Sequence, residues 1–492
     1  MSSKYIDLIL RWRFFKLKTS QSNFLSSAMK YLDDTIAAIS TAIGEAGISV
    51  IRISGKDAIK IADKVFRGKR KLEEVKTHTA HYGKIVDSSG KVVDYVVATV
   101  FRSPHSYTGE DVVEISCHGG IFVTRKVLET ILEAGARLAQ PGEFTKRAFL
   151  NGKIDLSQAE AIADLIRSAT DLAYQSSLSQ LEGSISRKIK KMRDDLINLC
   201  SLVELELDFA DEDLEFVDKP ELANKIRDAI AEIDELIETF KYGKIYREGI
   251  KVVIAGKPNA GKSSLLNALL NENRAIVSDI PGTTRDVIEE SLNIEGVLFK
   301  VIDTAGLRET YDIIEQEGVR RAEEQLRKAD MILLVIDSTD EVDESDMRLY
   351  HRVLNLAVNE SKRCVIVFNK VDLLDGKQMQ MEKVFEDFPV VHISALTGLG
   401  LDKLKKIMVE QSFLGMNRTE ASVVITNVRH RDALVKAKQS LLYALKSLEE
   451  GMSGDLVAVD LRAGLNYLGE IIGEVTTEDI LNNIFSKFCI GK

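Results

Sequence analysis

The sequence is poor in cysteine, proline and tryptophan, and it has no long apolar run. Its 492 residues include 4 cysteines, 6 prolines and 1 tryptophan. Cys117, Cys200, Cys364 and Cys489 are scattered without C-x-x-C spacing, which excludes a disulfide framework and a zinc knuckle and points to a reducing, cytoplasmic setting. No stretch approaches the roughly 18 apolar residues needed to cross a bilayer, so no membrane partner is expected. Positive charge is not in excess either. A formal net charge of −10 argues against wholesale electrostatic capture of nucleic acid, although local basic surface could hold an RNA. With 45% hydrophobic and 29% charged residues, the composition is that of a packed globular protein with room for about three or four domains.

Residues 1–30 stand apart: one acidic residue, Asp7, among basic, serine and aromatic residues, loosely resembling an organellar transit peptide. The preferred expectation is translation from Met29, with the upstream stretch a start-site artefact or a disordered arm. From Tyr31 to about Phe149 the text is mixed. GISVIRIS reads as a strand, KDAIKIADKVF as a helix, KIVDSSGKVVDYVVATVF as a hairpin turning at Ser88, Ser89 and Gly90, and DVVEIS as a further strand. A helix is expected around FVTRKVLETILEAGA. This predicts a compact α+β domain whose periodicity names no ligand.

After Pro141 and Gly142 there is no proline until Pro220, and apolar residues recur at three and four spacing, predicting long helices. The acidic stretch ELELDFADEDLEF lacks the glycine and spaced glutamate of a calcium loop, so a solvated helix end is expected there. Helical text returns in RDALVKAKQSLLYALKSLEE and in LVAVDLRAGLNYLGEIIGEVTTEDILNNIF.

The strongest signal is KVVIAGKPNAGKSSLLNALL, a strand, a G-x-x-x-x-G-K-S loop from Gly256 to Ser263, and a helix. Its glycines let backbone N–H groups turn toward phosphate, Lys262 reaches the terminal phosphates, and the Ser263 hydroxyl can bind Mg²⁺. The remaining parts of a GTPase follow in order. Asp303, Thr304, Ala305 and Gly306 end the strand VLFKVI, Thr283 and Thr284 lie in the preceding loop DIPGTTRD, and Asn369-Lys370-Val371-Asp372 follows CVIVF. A carboxylate at Asp372 accepts guanine N1–H and N2–H₂, and Ser394-Ala395 supplies a backbone contact to the base. Where a Ras-type enzyme has a water-positioning glutamine, this chain has Leu307, which cannot hydrogen-bond. Arg308, Glu309, Asp312, Glu315 and Glu317 are the nearby candidates, each of which alone reads more simply as an exposed switch charge.

DTIAAIS, VIRISG, SYTGEDVVEISCHGG, QPGEFTKRAFLNGKIDLSQAEAIADLI, GKPNAGKSSLLNAL, DIPGTTRD, DTAGLRET and the final CIGK occur in this order. In these segments the chain resembles the family of tRNA uridine-modification GTPases called MnmE or TrmE. The resemblance implies a multidomain α/β protein: an α+β folate-binding dimerisation domain (31–148), an all-α helical domain (149–247 and 413–492) and a P-loop Ras-like G domain (248–412) inserted into it. It implies a nucleotide site of Asn259, Ala260, Gly261, Lys262, Ser263, Ser264, Ser278, Asp279, Ile280, Pro281, Gly282, Thr283, Thr284, Asp303, Thr304, Ala305, Gly306, Asn369, Lys370, Val371, Asp372, Ser394 and Ala395. Within it K⁺ would be held by Asn259, Ser278, Ile280 and Thr283, and Mg²⁺ by Ser263 and Thr284. Glu315 matches the carboxylate that positions the attacking water.

The resemblance also assigns Arg52, Glu114, Lys153 and Lys492 to a tetrahydrofolate derivative (5-formyl- or 5,10-methylene-tetrahydrofolate). It implies a homodimer that forms an α₂β₂ complex with an FAD-containing subunit. That complex would install a carboxymethylaminomethyl or aminomethyl group at C5 of the wobble uridine of certain tRNAs. Taken alone, Arg52 and Glu114 read as solvated strand residues. The tail would fold back to bring Cys489 to the one-carbon centre, as nucleophile, acid or structural thiol; its FCIGK ending fits lipidation poorly. Two rival classes are a ribosome-assembly GTPase and a folate-dependent methyl-group transferase with a regulatory G domain. GMSG at 451–454 has the G-x-x-G spacing of a KH loop, but its helical surroundings predict a helix cap and turn.

Overall fold

The computed structural model describes residues 34–208, 219–273, 289–302, 324–340, 342–374, 383–414 and 423–492. The chain divides into two compact units, one of residues 1–163, 186–227 and 436–492, the other of residues 164–185 and 228–435.

The first unit is built on a sheet of seven strands, β1 (Ile36–Ile39), β2 (Ala46–Ser54), β3 (Phe66–Gly68), β4 (Thr79–Val86), β5 (Val92–Phe101), β6 (Val112–Gly119) and β7 (Arg137–Leu138), in the order β3-β4-β5-β6-β2-β1-β7. The β4–β5 hairpin turns where expected, because the Asp87 carboxylate accepts from the N–H groups of Ser89 and Lys91, both at 3.0 Å. Alternation sends Ile51, Ile53, Ile85, Ala98, Val100, Val113 and Ile115 to one face. There they pack with Ala58 and Ala62 of α1 (Ala58–Val65) and with Val127 and Ile131 of α2 (Ile121–Glu133). Each buried isoleucine or valine among them stabilises the fold by about 1.5–3 kcal/mol. The same alternation turns Arg52 and Glu114, paired in register across β2 and β6, to the opposite face. At the β1 edge that face is covered by Phe144 of α3 (Glu143–Leu150), packed on Ile36, Ala38 and Ala139.

Helices α4 (Leu156–Arg167), α5 (Asp171–Leu181), α6 (Ser184–Asp208), α7 (Lys219–Glu248), α11 (Val428–Glu449), α12 (Gly454–Ile472) and α13 (Glu478–Phe485) supply the helical text. The GMSG stretch is a helix end followed by a cap, with Gly451 at φ 66° and Ser453 Oγ accepting from the Asp455 N–H. The final helical run is broken into α12 and α13 at Gly473 (φ 82°), where a Cβ would lie 2.8 Å from the Phe149 ring. Most of the acidic stretch after Asp208 lies outside the described residues.

The second unit holds a six-stranded sheet ordered β13-β12-β11-β8-β10-β9: β8 (Ile250–Ala255), β9 (Glu289–Ile294), β10 (Val297–Ile302), β11 (Met331–Asp337), β12 (Arg363–Asn369) and β13 (Val390–His392). All neighbours are parallel except β9 and β10. The central residues of IKVVIA, MILLVID and RCVIVFN (252–254, 331–336 and 364–368) are apolar without alternation because both faces are covered. On one side Val252, Leu333 and Val365 pack with Leu265 of α8 (Lys262–Asn273) and Leu404 of α10 (Leu401–Ser412). On the other, Ile332, Leu334 and Phe368 pack with Tyr350, Val353 and Leu354 of α9 (Glu344–Asn359). This is the doubly wound G-domain fold, with β8 delivering its loop at the carboxyl edge of the sheet, where such sheets bind ligands.

Candidate functional site

The phosphate loop joins β8 to α8, and its two glycines are there for space. A Cβ on Gly256 (φ +144°) would lie 2.2 Å from the Val335 carbonyl oxygen, and one on Gly261 (φ +88°) 2.1 Å from Asn369 Nδ2. Lys262 Nζ donates to the carbonyls of Gly256 at 2.8 Å and Lys257 at 2.5 Å, bending back over the loop, and burial pushes its pKa below the ordinary lysine value. Asn369 ties the loop to the base-recognition elements: Nδ2 donates to the Ala260 carbonyl and Oδ1 accepts from the Ala395 N–H, both at 2.9 Å. Lys370 follows in the left-handed region at φ 66°, and Asp372 is exposed. Ser394 is buried and holds the turn through Thr397 N–H at 3.2 Å. Ser263 and Ser264 are exposed at the start of α8, and Asn259 is exposed at φ 65°. The expected residues Ser278, Asp279, Ile280, Pro281, Gly282, Thr283, Thr284, Asp303, Thr304, Ala305, Gly306 and Glu315 lie outside the described residues.

A second cluster forms on the open face of the first unit's sheet. Arg52 Nε donates to Glu114 Oε1 at 2.8 Å, and the guanidinium carbon stands 5.0 Å from the Tyr107 ring centroid and 5.6 Å from that of Phe144. Arg52 Nη1 is buried and has no hydrogen-bond partner among the described residues. The C-terminal tail reaches this cluster. Burial first, then the Arg52 charge, push Lys492 below the ordinary lysine value, against the opposing pull of Glu114 and Cys489. The tail is seated by Ser40 Oγ donating to the Gly491 carbonyl at 3.2 Å and by the Gly142 N–H on the Cys489 carbonyl at 3.4 Å. Cys489 is exposed, whereas Cys117, Cys200 and Cys364 are buried. Lys153 Nζ donates instead to the Pro104 carbonyl at 3.1 Å, and no hydrogen bond or ion pair among the described residues joins it to Arg52, Glu114 or Lys492.

Comparison with known proteins bears on both clusters. A model of the MnmE helical domain matches residues 156–489, more than half of the chain, and one described as the N-terminus of the GTP-binding protein TrmE matches residues 35–153. The chain belongs to the MnmE family. The tRNA modification GTPase MnmE of Alkaliphilus oremlandii is 45% identical over 466 residues, 94% of this chain and 100% of that protein. The MnmE of Clostridioides difficile is 46% identical over 467 residues, again 94% of this chain and 100% of that protein. The G domain of the T. maritima FeoB iron transporter is 31% identical over 33% of this chain and 98% of that one, at a TM-score of 0.25, too low to carry weight.

Within this MnmE-family chain, three residues beside the tail cluster were not expected in it. Tyr107 and Phe144 both lie against the Arg52 guanidinium, and Tyr107 is fixed by its hydroxyl contact with Thr145 at 2.8 Å. Arg147, 1% exposed, bonds Asp34 Oδ1 at 2.6 Å and both Glu110 Oε1 and Glu143 Oε1 at 3.1 Å, which fastens α3 to the start of β1. Burial outweighs Arg147 at Glu110 and raises its pKa; at Asp34 burial is overcome by Arg137 and Arg147, which lower it. The available signal for these residues was the aromatic and basic content of SYTGED and PGEFTKRAF, which by itself points to no partner.

Proposed function

We propose that this tRNA modification GTPase is potassium-dependent and works as a homodimer with an FAD-containing subunit in an α₂β₂ complex in the cytoplasm. The complex adds a carboxymethylaminomethyl or aminomethyl group to C5 of the wobble uridine of certain tRNAs, using a one-carbon unit from a tetrahydrofolate. The reading keeps residues 31–148 as the folate domain, 248–412 as the G domain, and 149–247 with 413–492 as the helical domain. The observation that carries it is the convergence of Arg52, Glu114, Lys492 and the Cys489 tail on one face of a chain that also holds a complete phosphate loop.

Bound ions supply positive charge beside the β and γ phosphates, and a bound reduced folate supplies the carbon. Asn259 would hold potassium together with Ser278, Ile280 and Thr283, and Ser263 with Thr284 would hold magnesium. Lys262 would exchange its two carbonyl partners for the terminal phosphates. Glu315 orients the attacking water, which Leu307 cannot do. On the sheet face, the unpartnered Arg52 Nη1 fits an acceptor or anionic group of the folate, and Lys492 adds a second cation beside it. Cys489, exposed and within electrostatic reach of Lys492, would bring its thiol to this site.

The test is GTP turnover in potassium against sodium, with and without the flavoprotein, together with mass analysis of wobble uridines in a strain lacking the protein. Stimulation by potassium of about tenfold or more, about 1.4 kcal/mol in barrier, is expected. Equal turnover in sodium, or unchanged uridines in the deletion strain, refutes the reading.

A further inference from the structure

Two lysines of the nucleotide site are anchored by a short acidic segment that belongs to none of the recognised motifs. Asp337 closes the buried strand β11 in register with Asn369 and is 7% exposed. One of its oxygens accepts from the Thr339 N–H at 3.0 Å and the Thr339 hydroxyl at 2.7 Å; the other accepts from Lys370 Nζ at 2.5 Å. Lys370 holds a left-handed backbone at φ 66°, a state that a residue with a side chain keeps only when its surroundings fix it. Nine residues further on, Asp346 is 3% exposed and forms an ion pair with Lys257 of the phosphate loop. The same Asp346 oxygen accepts from the Asp343 N–H at 3.0 Å, in the capping box that starts α9.

The base-reading loop and the phosphate loop are thus each tied by a lysine to one end of the segment from Asp337 to Asp346, while Asn369 bridges them directly. We propose that Asp337 and Asp346 are positioning residues for the guanine nucleotide, the first setting the base end of the site through Lys370 and the second the phosphate end through Lys257. Removing either anchor lets one end of the site relax while the other stays formed, so each should weaken retention of the nucleotide without touching the chemistry. The Asp337 carboxyl is ionised, as this anchoring requires. Burial raises its pKa, but hydrogen bonds from Lys370 and Thr339 outweigh burial and hold it below the usual carboxylate range. The inference rests only on guanine-nucleotide binding, not on potassium, folate or tRNA.

The two ends are separable with the full chain by displacing a fluorescent GDP analogue with GDP and with GMP. Asp337→Asn should raise the Kd for GDP and GMP alike by about tenfold and the KM for GTP similarly, with kcat within about twofold of the parent. Asp337→Glu, which keeps the charge, should recover most of that loss. Lys257→Met should weaken GDP by about tenfold and GMP by less than about twofold, since the β-phosphate is what the loop cradles, and Lys257→Arg should restore GDP binding. In a Lys370→Met background, Asp337→Asn should add no further loss. Parental affinities in a folded Asp337→Asn protein, or a full extra loss in the Lys370→Met background, overturn the base-end assignment. Equal weakening of GDP and GMP by Lys257→Met, or no weakening, overturns the phosphate-end assignment. If Asp337→Asn does not fold, Lys370→Met with parental GMP affinity overturns the base-end assignment in its place.

Discussion

Gly491 offers the sharpest test of whether the C-terminal tail is part of the proposed folate site. Its φ is +105°, and a Cβ there would stand 2.1 Å from the Ile39 carbonyl oxygen. An alanine would meet a backbone penalty of about 1–2 kcal/mol or more. The overlap is with main chain, so no side-chain rotation relieves it and the tail has to lift. Lifting gives up the Ser40 hydroxyl bond to the Gly491 carbonyl, about 1 kcal/mol, and part of the burial of Phe488, another 1–2 kcal/mol or so. The total of about 3–5 kcal/mol works against whatever margin holds the tail down, so Gly491→Ala should lower affinity for 5-formyl-tetrahydrofolate at least about tenfold. Calorimetric titration of the full chain measures this, and GTP hydrolysis on the same sample should be unchanged. Gly90→Ala is the control, at φ +84° with nothing among the described residues within 4 Å of its Cβ: strain alone, and parental folate affinity. Parental folate affinity in Gly491→Ala would refute the tail's role, and an equal loss in Gly90→Ala would reduce the effect to general destabilisation.

Glu315→Ala should leave GTP affinity nearly intact while single-turnover hydrolysis collapses by about 100-fold or more, and unaffected turnover removes Glu315 as the water-positioning group. Cys489→Ser should abolish tRNA modification and spare GTP hydrolysis, read by uridine mass analysis beside phosphate release; survival of both makes the thiol incidental. Thiol alkylation of the folded chain near pH 8 should label Cys489 alone. Burial pushes Cys200 and Cys364 up to about 12, so these two stay protonated there and yield thiolate only as pH climbs far above the assay range; burial raises Cys117 in the same direction and also shields it from reagent. Rapid labelling of a second cysteine in the intact protein would contradict that burial.

The nucleotide site was legible in the sequence because its chemistry is contiguous. Gly256 to Ser263 places a strand, a tight loop and a helix start within a few residues, and Asn369 to Asp372 and Ser394 to Ala395 each sit at a strand end that apolar text announces. The helical break at Gly473 is not marked in the sequence because apolar residues recur on both sides of it, in LVAVDLRAGLNYLGEII and in ILNNIF, while the close approach of Phe149 that demands a glycine is a tertiary event. Arg52 and Glu114 read as solvated strand residues on alternation alone; their pairing depends on the β2–β6 register, which joins positions 62 residues apart.

By itself the sequence determined the two kinds of secondary-structure text, the guanine-nucleotide motifs and the apolar faces, since these depend on backbone preference and spacing between near neighbours. Only the tertiary structure decided that Arg147 is a buried ionic knot, that Tyr107 and Phe144 flank Arg52, that Lys492 shares its surroundings, and that Asp337 and Asp346 anchor the lysines of the nucleotide site. The physical reason is common to all of them. An isolated charge on a strand or loop is most simply solvated, and what makes it functional is the partner and the low-dielectric surroundings that a distant segment brings to it.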